Sequence, residues 1–166
     1  DGVNPLKISL QGGGPNNTQH TPFGTTESWT DGTIVRNNVT LEFAPQYGSP
    51  AGNDQVRYRE WIQFGEQAGD ATYIRHTTQR QISMDGFYNL VGVLYIHTQT
   101  AALPNGGASN REFLFLPNEG GITGSGNMIK TGTSTLNLYN SYRDWSGDLD
   151  VREGAVIQYL YPGNSF

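Results

Sequence analysis

The chain contains no cysteine, which excludes a disulfide framework, thiolate metal sites and a cysteine nucleophile together. Charge is scarce as well: 15% of the residues are charged and the formal net charge is -5. Affinity for a nucleic-acid backbone comes from clustered Lys and Arg that displace counterions. Here the basic residues are scattered without a run, so nucleic acid is not an expected partner. No apolar stretch reaches the roughly 18 residues that mark a bilayer-spanning helix. The opening residues, Asp1 to Lys7, have neither the charged region nor the apolar run of a signal peptide. Membrane insertion is therefore not expected, and a chain opening at Asp1 reads as a processed product or an excised fragment. Helical periodicity is missing too, since no window of about ten residues repeats apolar positions every three to four.

What the sequence has in quantity is glycine, 22 of 166 residues, together with 8 prolines and 11% aromatics. Polarity comes from Asn, Gln, Thr and Ser rather than from charge, and the aromatics with repeated Val, Ile and Leu provide apolar surface to oppose chain entropy. One domain is expected over residues 1–166, with 1–28 reading as a stalk end or connector that leads into it. Apolar and β-branched runs predict strands over 6–10, 33–43, 56–64, 72–76, 80–84, 87–98, 111–116, 133–139 and 147–161, the last broken at Gly154. Turn signals at Asp31-Gly32, Asp85-Gly86, Asn105-Gly106-Gly107 and Pro162-Gly163 separate them. Val39 to Phe43 alternates apolar and polar residues, as a half-buried strand does. Phe87 to Ile96 is almost continuously apolar, which predicts a strand buried on both faces by a second sheet or a neighbouring subunit. No internal repeat of 20 to 50 residues is visible, which argues against propellers and solenoids. The predicted fold is an all-β, antiparallel β-sandwich of the jelly-roll type.

Gln81-Ile82-Ser83-Met84-Asp85-Gly86-Phe87-Tyr88, followed by Asn89 to Thr98, resembles the C1q and tumour necrosis factor jelly rolls in its strand, turn and long central strand. Trp61, the 65–68 region and Leu149 to Val156 are similar to that family as well. A closing strand after Gly163 is absent. In composition the chain also resembles the trimeric heads of viral fibres and phage receptor-binding proteins. The resemblance implies a homotrimer whose loops or subunit clefts bind a receptor, often a sugar.

Catalytic chemistry finds little purchase. Gly124-Ser125-Gly126 lacks the nucleophile-elbow pattern, and His20, His76 and His97 lie too far apart in sequence to mark a metal site. Asp148 and Asp150 share a strand face and suit a hard cation, but a solvated strand edge is the preferred reading. No metal and no cofactor is expected. Sugar recognition needs an aromatic face for the apolar side of a pyranose beside planar polar groups for its hydroxyls. Tyr142, Arg143, Asp144 and Trp145 combine these in a turn-like stretch, and Trp29 with Glu27, beside the Asn and Thr of the first long loop, 11–28, is a second candidate. Core or subunit-interface packing is the competing role for both tryptophans. Asn16-Asn17-Thr18 and Asn38-Val39-Thr40 match the glycosylation acceptor pattern, the second inside a predicted strand.

The expected function is thus a non-enzymatic recognition head of a trimeric fibre or spike that binds a cell-surface glycan or protein receptor for host attachment. Its expected location is extracellular or on a virion surface. A monomeric lectin or carbohydrate-binding module of a secreted protein, and a capsid or shell jelly roll, are the alternatives.

Overall fold

Strands follow one another around three sheets in a fixed rotation. The computed structural model describes residues 7–10, 19–20, 32–43, 55–58, 61–76, 81–84, 86–99, 113–115, 121–139 and 144–159. Sheet A holds β1 (Lys7–Leu10), β4 (Thr40–Phe43), β7 (Ala71–His76), β10 (Val93–Thr98), β13 (Met128–Thr131) and β16 (Leu149–Val151). Sheet B holds β2 (Gln19–His20), β5 (Gln55–Tyr58), β8 (Gln81–Met84), β11 (Phe113–Phe115), β14 (Thr135–Tyr139) and β17 (Ala155–Tyr159). Sheet C holds β3 (Thr33–Val35), β6 (Trp61–Phe64), β9 (Phe87–Leu90), β12 (Ile122–Gly124) and β15 (Asp144–Trp145). Within each sheet the strands are in spatial sequence and all pairings among the described residues are parallel. The chain is therefore a three-sided parallel β-solenoid, in which each coil contributes one strand to each sheet.

Alternation along the strands assigns the faces. In β7 and β10, Thr72, Ile74, His76, Leu94, Ile96 and Thr98 point inward while the residues between them face out. In-register pairing stacks the inward positions into columns: Leu41, Ile74 and Ile96 on sheet A, Ile62, Tyr88 and Ile122, and Val35, Phe64 and Leu90, on sheet C. Each such side chain removed from water contributes about 1.5–3 kcal/mol. Three polar side chains that enter the interior bond to backbone. Tyr88 Oη accepts from the Gly86 amide at 2.7 Å, Thr72 Oγ1 donates to the Val93 carbonyl at 3.3 Å, and Thr98 Oγ1 donates to that of Ser134 at 3.1 Å.

Lys130 interrupts the aliphatic column above Ile96 and is fully buried. Its ammonium donates to the carbonyls of Thr131 (2.8 Å), Gly132 (2.7 Å) and Glu153 (3.1 Å), closing the corner between sheets A and B on two successive coils. Burial pulls its pKa down to about 8 against the opposing pull of the Glu153 carboxylate.

The corner between sheets C and A is a glycine column. A Cβ on Gly92 would run into the Asp70 carbonyl, one on Gly126 into that of Gly92, and one on Gly147 into that of Gly126. Backbones there approach too closely for any side chain. At the next coil down, Asn38 turns the chain with φ 61, a left-handed conformation that Asn tolerates better than most residues. Its amide donates to the Ala71 carbonyl, and Asn37 Oδ1 accepts from the Ala71 amide.

These features overturn several expectations. The sheets are parallel, so the antiparallel jelly-roll sandwich implied by the resemblance is not the fold, and a solenoid is what the chain forms. Runs read as single strands are pairs that bend at a corner: 33–43 is β3 and β4, 56–64 falls across β5 and β6, and 87–98 is β9 and β10. Phe87 to Ile96 is accordingly not one strand buried on both faces; Phe87, Asn89, Val93 and Tyr95 face outward. The repeat escaped detection because its length varies. Thr40, Tyr73, Tyr95, Ile129 and Asp150 occupy one position on successive coils of 33, 22, 34 and 21 residues. The break at Gly154 is present, with φ 76 between β16 and β17.

Candidate functional site

The outer face of sheet C gathers exposed aromatics and polar side chains in two parallel tracks. Trp61 and Phe87 open β6 and β9 and are direct partners across neighbouring coils. They are 40% and 47% exposed, the latter the most open large apolar side chain among the described residues. The indole lies over Gly32, where a side-chain carbon would collide with its ring, and Gly32 adopts φ 76. Glycine at this position lets Trp61 lie along the face.

Two residues further along each strand, on the same face, runs the second track: Ile34, Gln63, Asn89, Thr123 and Asp144 in register. Asn89 Nδ2 donates to Gln63 Oε1 at 3.2 Å, and Thr123 Oγ1 lies 3.4 Å from Asn89 Oδ1 and 3.3 Å from the Tyr88 carbonyl, either of which can accept its proton. Gln63 Nε2 donates to the Gly65 carbonyl at 2.9 Å. Each amide group therefore has one N–H committed within the protein. Its second N–H and remaining oxygen lone pair have no bond among the described residues, on side chains already held in place. Charge is sparse among the described residues of these tracks. Arg36 and Glu66 pair with each other at 3.0 Å on the adjoining corner, and Asp144 is an exposed carboxylate at the end of the polar track.

The sequence-predicted site is only partly within reach of this description. Tyr142, Arg143 and Trp29 lie outside the described residues. Asp144 and Trp145 form β15, and their side chains go opposite ways. Asp144 joins the polar track beside Thr123, whereas Trp145 stacks above Gly124, packs on the core and donates Nε1–H to the Gly126 carbonyl at 2.7 Å. Trp145 thus takes the packing role that competed with ligand binding. Trp61, Phe87, Gln63, Asn89 and Thr123 were not singled out as binding residues. A signal for them exists: Trp-Ile-Gln-Phe-Gly at 61–65 and Phe-Tyr-Asn-Leu-Val-Gly at 87–92 share an order of aromatic, apolar, amide, apolar and corner glycine.

Asp148 and Asp150 do not converge on a cation. Asp150 pairs with Arg152 at 2.7 Å, and no cluster of three potential metal ligands occurs among the described residues. His76 is buried inside, while His97 faces out, with Nδ1 3.2 Å from Thr131 Oγ1. Asn38 of the second acceptor tripeptide sits on an exposed corner rather than within a strand. No described helix is long and apolar enough to cross a membrane. Comparison with protein-family models, curated proteins and solved structures finds no match to this chain.

Proposed function

We propose that the chain is a non-enzymatic glycan-recognition module that binds through the outer face of sheet C. The observation that carries this reading is the exposed, in-register pair Trp61 and Phe87 beside the prearranged row of Gln63, Asn89 and Thr123. An aromatic ring covers the apolar side of a sugar, and planar amides reach adjacent hydroxyls; both are present on one rigid surface. The strands hold the side chains at fixed spacing, so binding requires little ordering of the protein and loses little conformational entropy.

Such a face fits the recognition head of a fibre or spike exposed outside a cell or on a virion. The tracks described lie within a single chain, so a homotrimer would contribute multivalency rather than complete the site. Immobilised glycan panels probed with the native chain test the reading, with Trp61→Ala and Phe87→Ala as controls. Glycan binding that both variants weaken supports it. Undiminished binding by both would move the site elsewhere.

A further inference from the structure

We infer that the ligand of this face is an uncharged, extended oligosaccharide lying along the solenoid axis, across the coils rather than along a strand. The inference rests on the glycan-binding reading and specifies its substrate class. Its direction follows from register. Trp61 and Phe87 are partners on neighbouring coils, so the aromatic surface is elongated along the axis. The row from Gln63 through Asn89 and Thr123 to Asp144 runs the same way. Successive coils step by about 4.8 Å and the two tracks lie about 6–7 Å apart, so the polar row extends about 14 Å over four coils. A single sugar would meet the aromatics and one amide. Only a chain of several sugars meets the whole row.

Among the described residues, the aromatic track is flanked by glycine at both ends. Its neighbour before Trp61 is Gly32, and its neighbour after Phe87 is Gly121, which stands beside Phe87 because Ile122 pairs with Tyr88. Neither position has a side chain to stop a ligand from continuing past the rings. A strand-wise ligand would instead leave the Trp61 and Phe87 row at once and run toward the charged corner of Arg36 and Glu66.

The absence of ligand charge follows from the electrostatics of the same surface. Recognition of a uronic or sialic carboxylate calls for a cation with free donors, usually an Arg fork. Among the described residues, the Arg36 guanidinium lies on the adjoining corner rather than in the row and engages Glu66 through Nε, and the charge on the polar row itself is the carboxylate of Asp144. An acidic sugar placed over this row meets repulsion from Asp144 at one end, and no described residue of the row carries a compensating positive charge.

The test uses the full chain against neutral oligosaccharides of one to six residues and matched acidic ones carrying uronic or sialic units, with affinity read by interferometry. Neutral ligands should bind, with affinity rising at least about tenfold from one sugar to the length that fills the row. Asp144→Lys should raise the affinity of the acidic series relative to the neutral one. Phe87→Ala should weaken all lengths, with circular dichroism confirming the fold. Affinity that does not grow with length overturns the axial placement but leaves glycan binding standing. A preference of the native chain for the acidic series overturns the neutral assignment. Failure of every glycan to bind overturns the underlying function as well.

Discussion

Sheets A and C present outer faces built on the same parallel ladder, yet they use their aromatics differently. On sheet A, Tyr73 and Tyr95 are register partners whose rings stack at 5.0 Å and 19°, each half-buried, and the next residue in that row, Ile129, is 8% exposed. On sheet C, the partners Trp61 and Phe87 keep 40% and 47% of their surface open. The tyrosines satisfy each other, so their faces hold neighbouring coils together. The rings on sheet C leave apolar area in water beside polar groups that are already oriented. In a solenoid, register guarantees that like positions meet, but only the solvent exposure of the row tells stabilisation from recognition.

The strongest way to break the comparison is from behind. Phe64 lies in the interior column of sheet C and is fully buried, so Phe64→Ala should cost about 3–5 kcal/mol in urea unfolding and abolish binding with the fold. Next, Phe87→Ala and Trp61→Ala should reduce glycan affinity about tenfold or more while shifting stability by less than Phe64→Ala does, since these side chains already keep 47% and 40% of their surface in water. Tyr95→Ala should do the reverse, with about 1–2 kcal/mol of stability lost and glycan affinity unchanged. A binding loss from Tyr95→Ala matching that of Phe87→Ala would end the distinction between the two faces.

The smallest effect concerns the buried cation at the other corner. The Lys130 pKa is lowered from its ordinary 10.5 to about 8 in the folded state. Between those two pH values the unfolded chain holds the proton and the folded chain does not, so this group makes stability rise with pH there. Below about pH 8 the lysine is charged in both states and its burial cost is fully felt. The stability difference between the native chain and Lys130→Met should therefore move in favour of the native chain from pH 8 to 10.5, by no more than about 1.4 kcal/mol per pH unit. A difference flat across that window would contradict the lowered value.

Much of the local structure was legible in the sequence. β7 and the break at Gly154 stand as read, because a period of two and a glycine in the left-handed region are local properties. Parallel pairing was not legible. Turn signals such as Asp85-Gly86 fit an antiparallel reversal as well as a solenoid corner, because the same residue types suit both, and the Asn37-Asn38 corner lies inside a run read as one strand. What separates the two is whether the next strand lies beside the last or on another sheet. The site was missed for a related reason: Trp61 and Phe87 are 26 residues apart in sequence and become neighbours only through register. Asp144 was named for the company of Trp145 and turned out to belong with Thr123 instead, because adjacent residues of a strand face opposite ways.

By itself, the sequence determined that the chain would be β-rich, free of disulfides and poor in charge. These follow from composition and short-range pattern. Only the tertiary structure decided which aromatics meet in register on an exposed face. Coil lengths vary with the segments between strands, so the partner of each residue is set by interior packing and glycine corners, and no fixed spacing in the sequence encodes it.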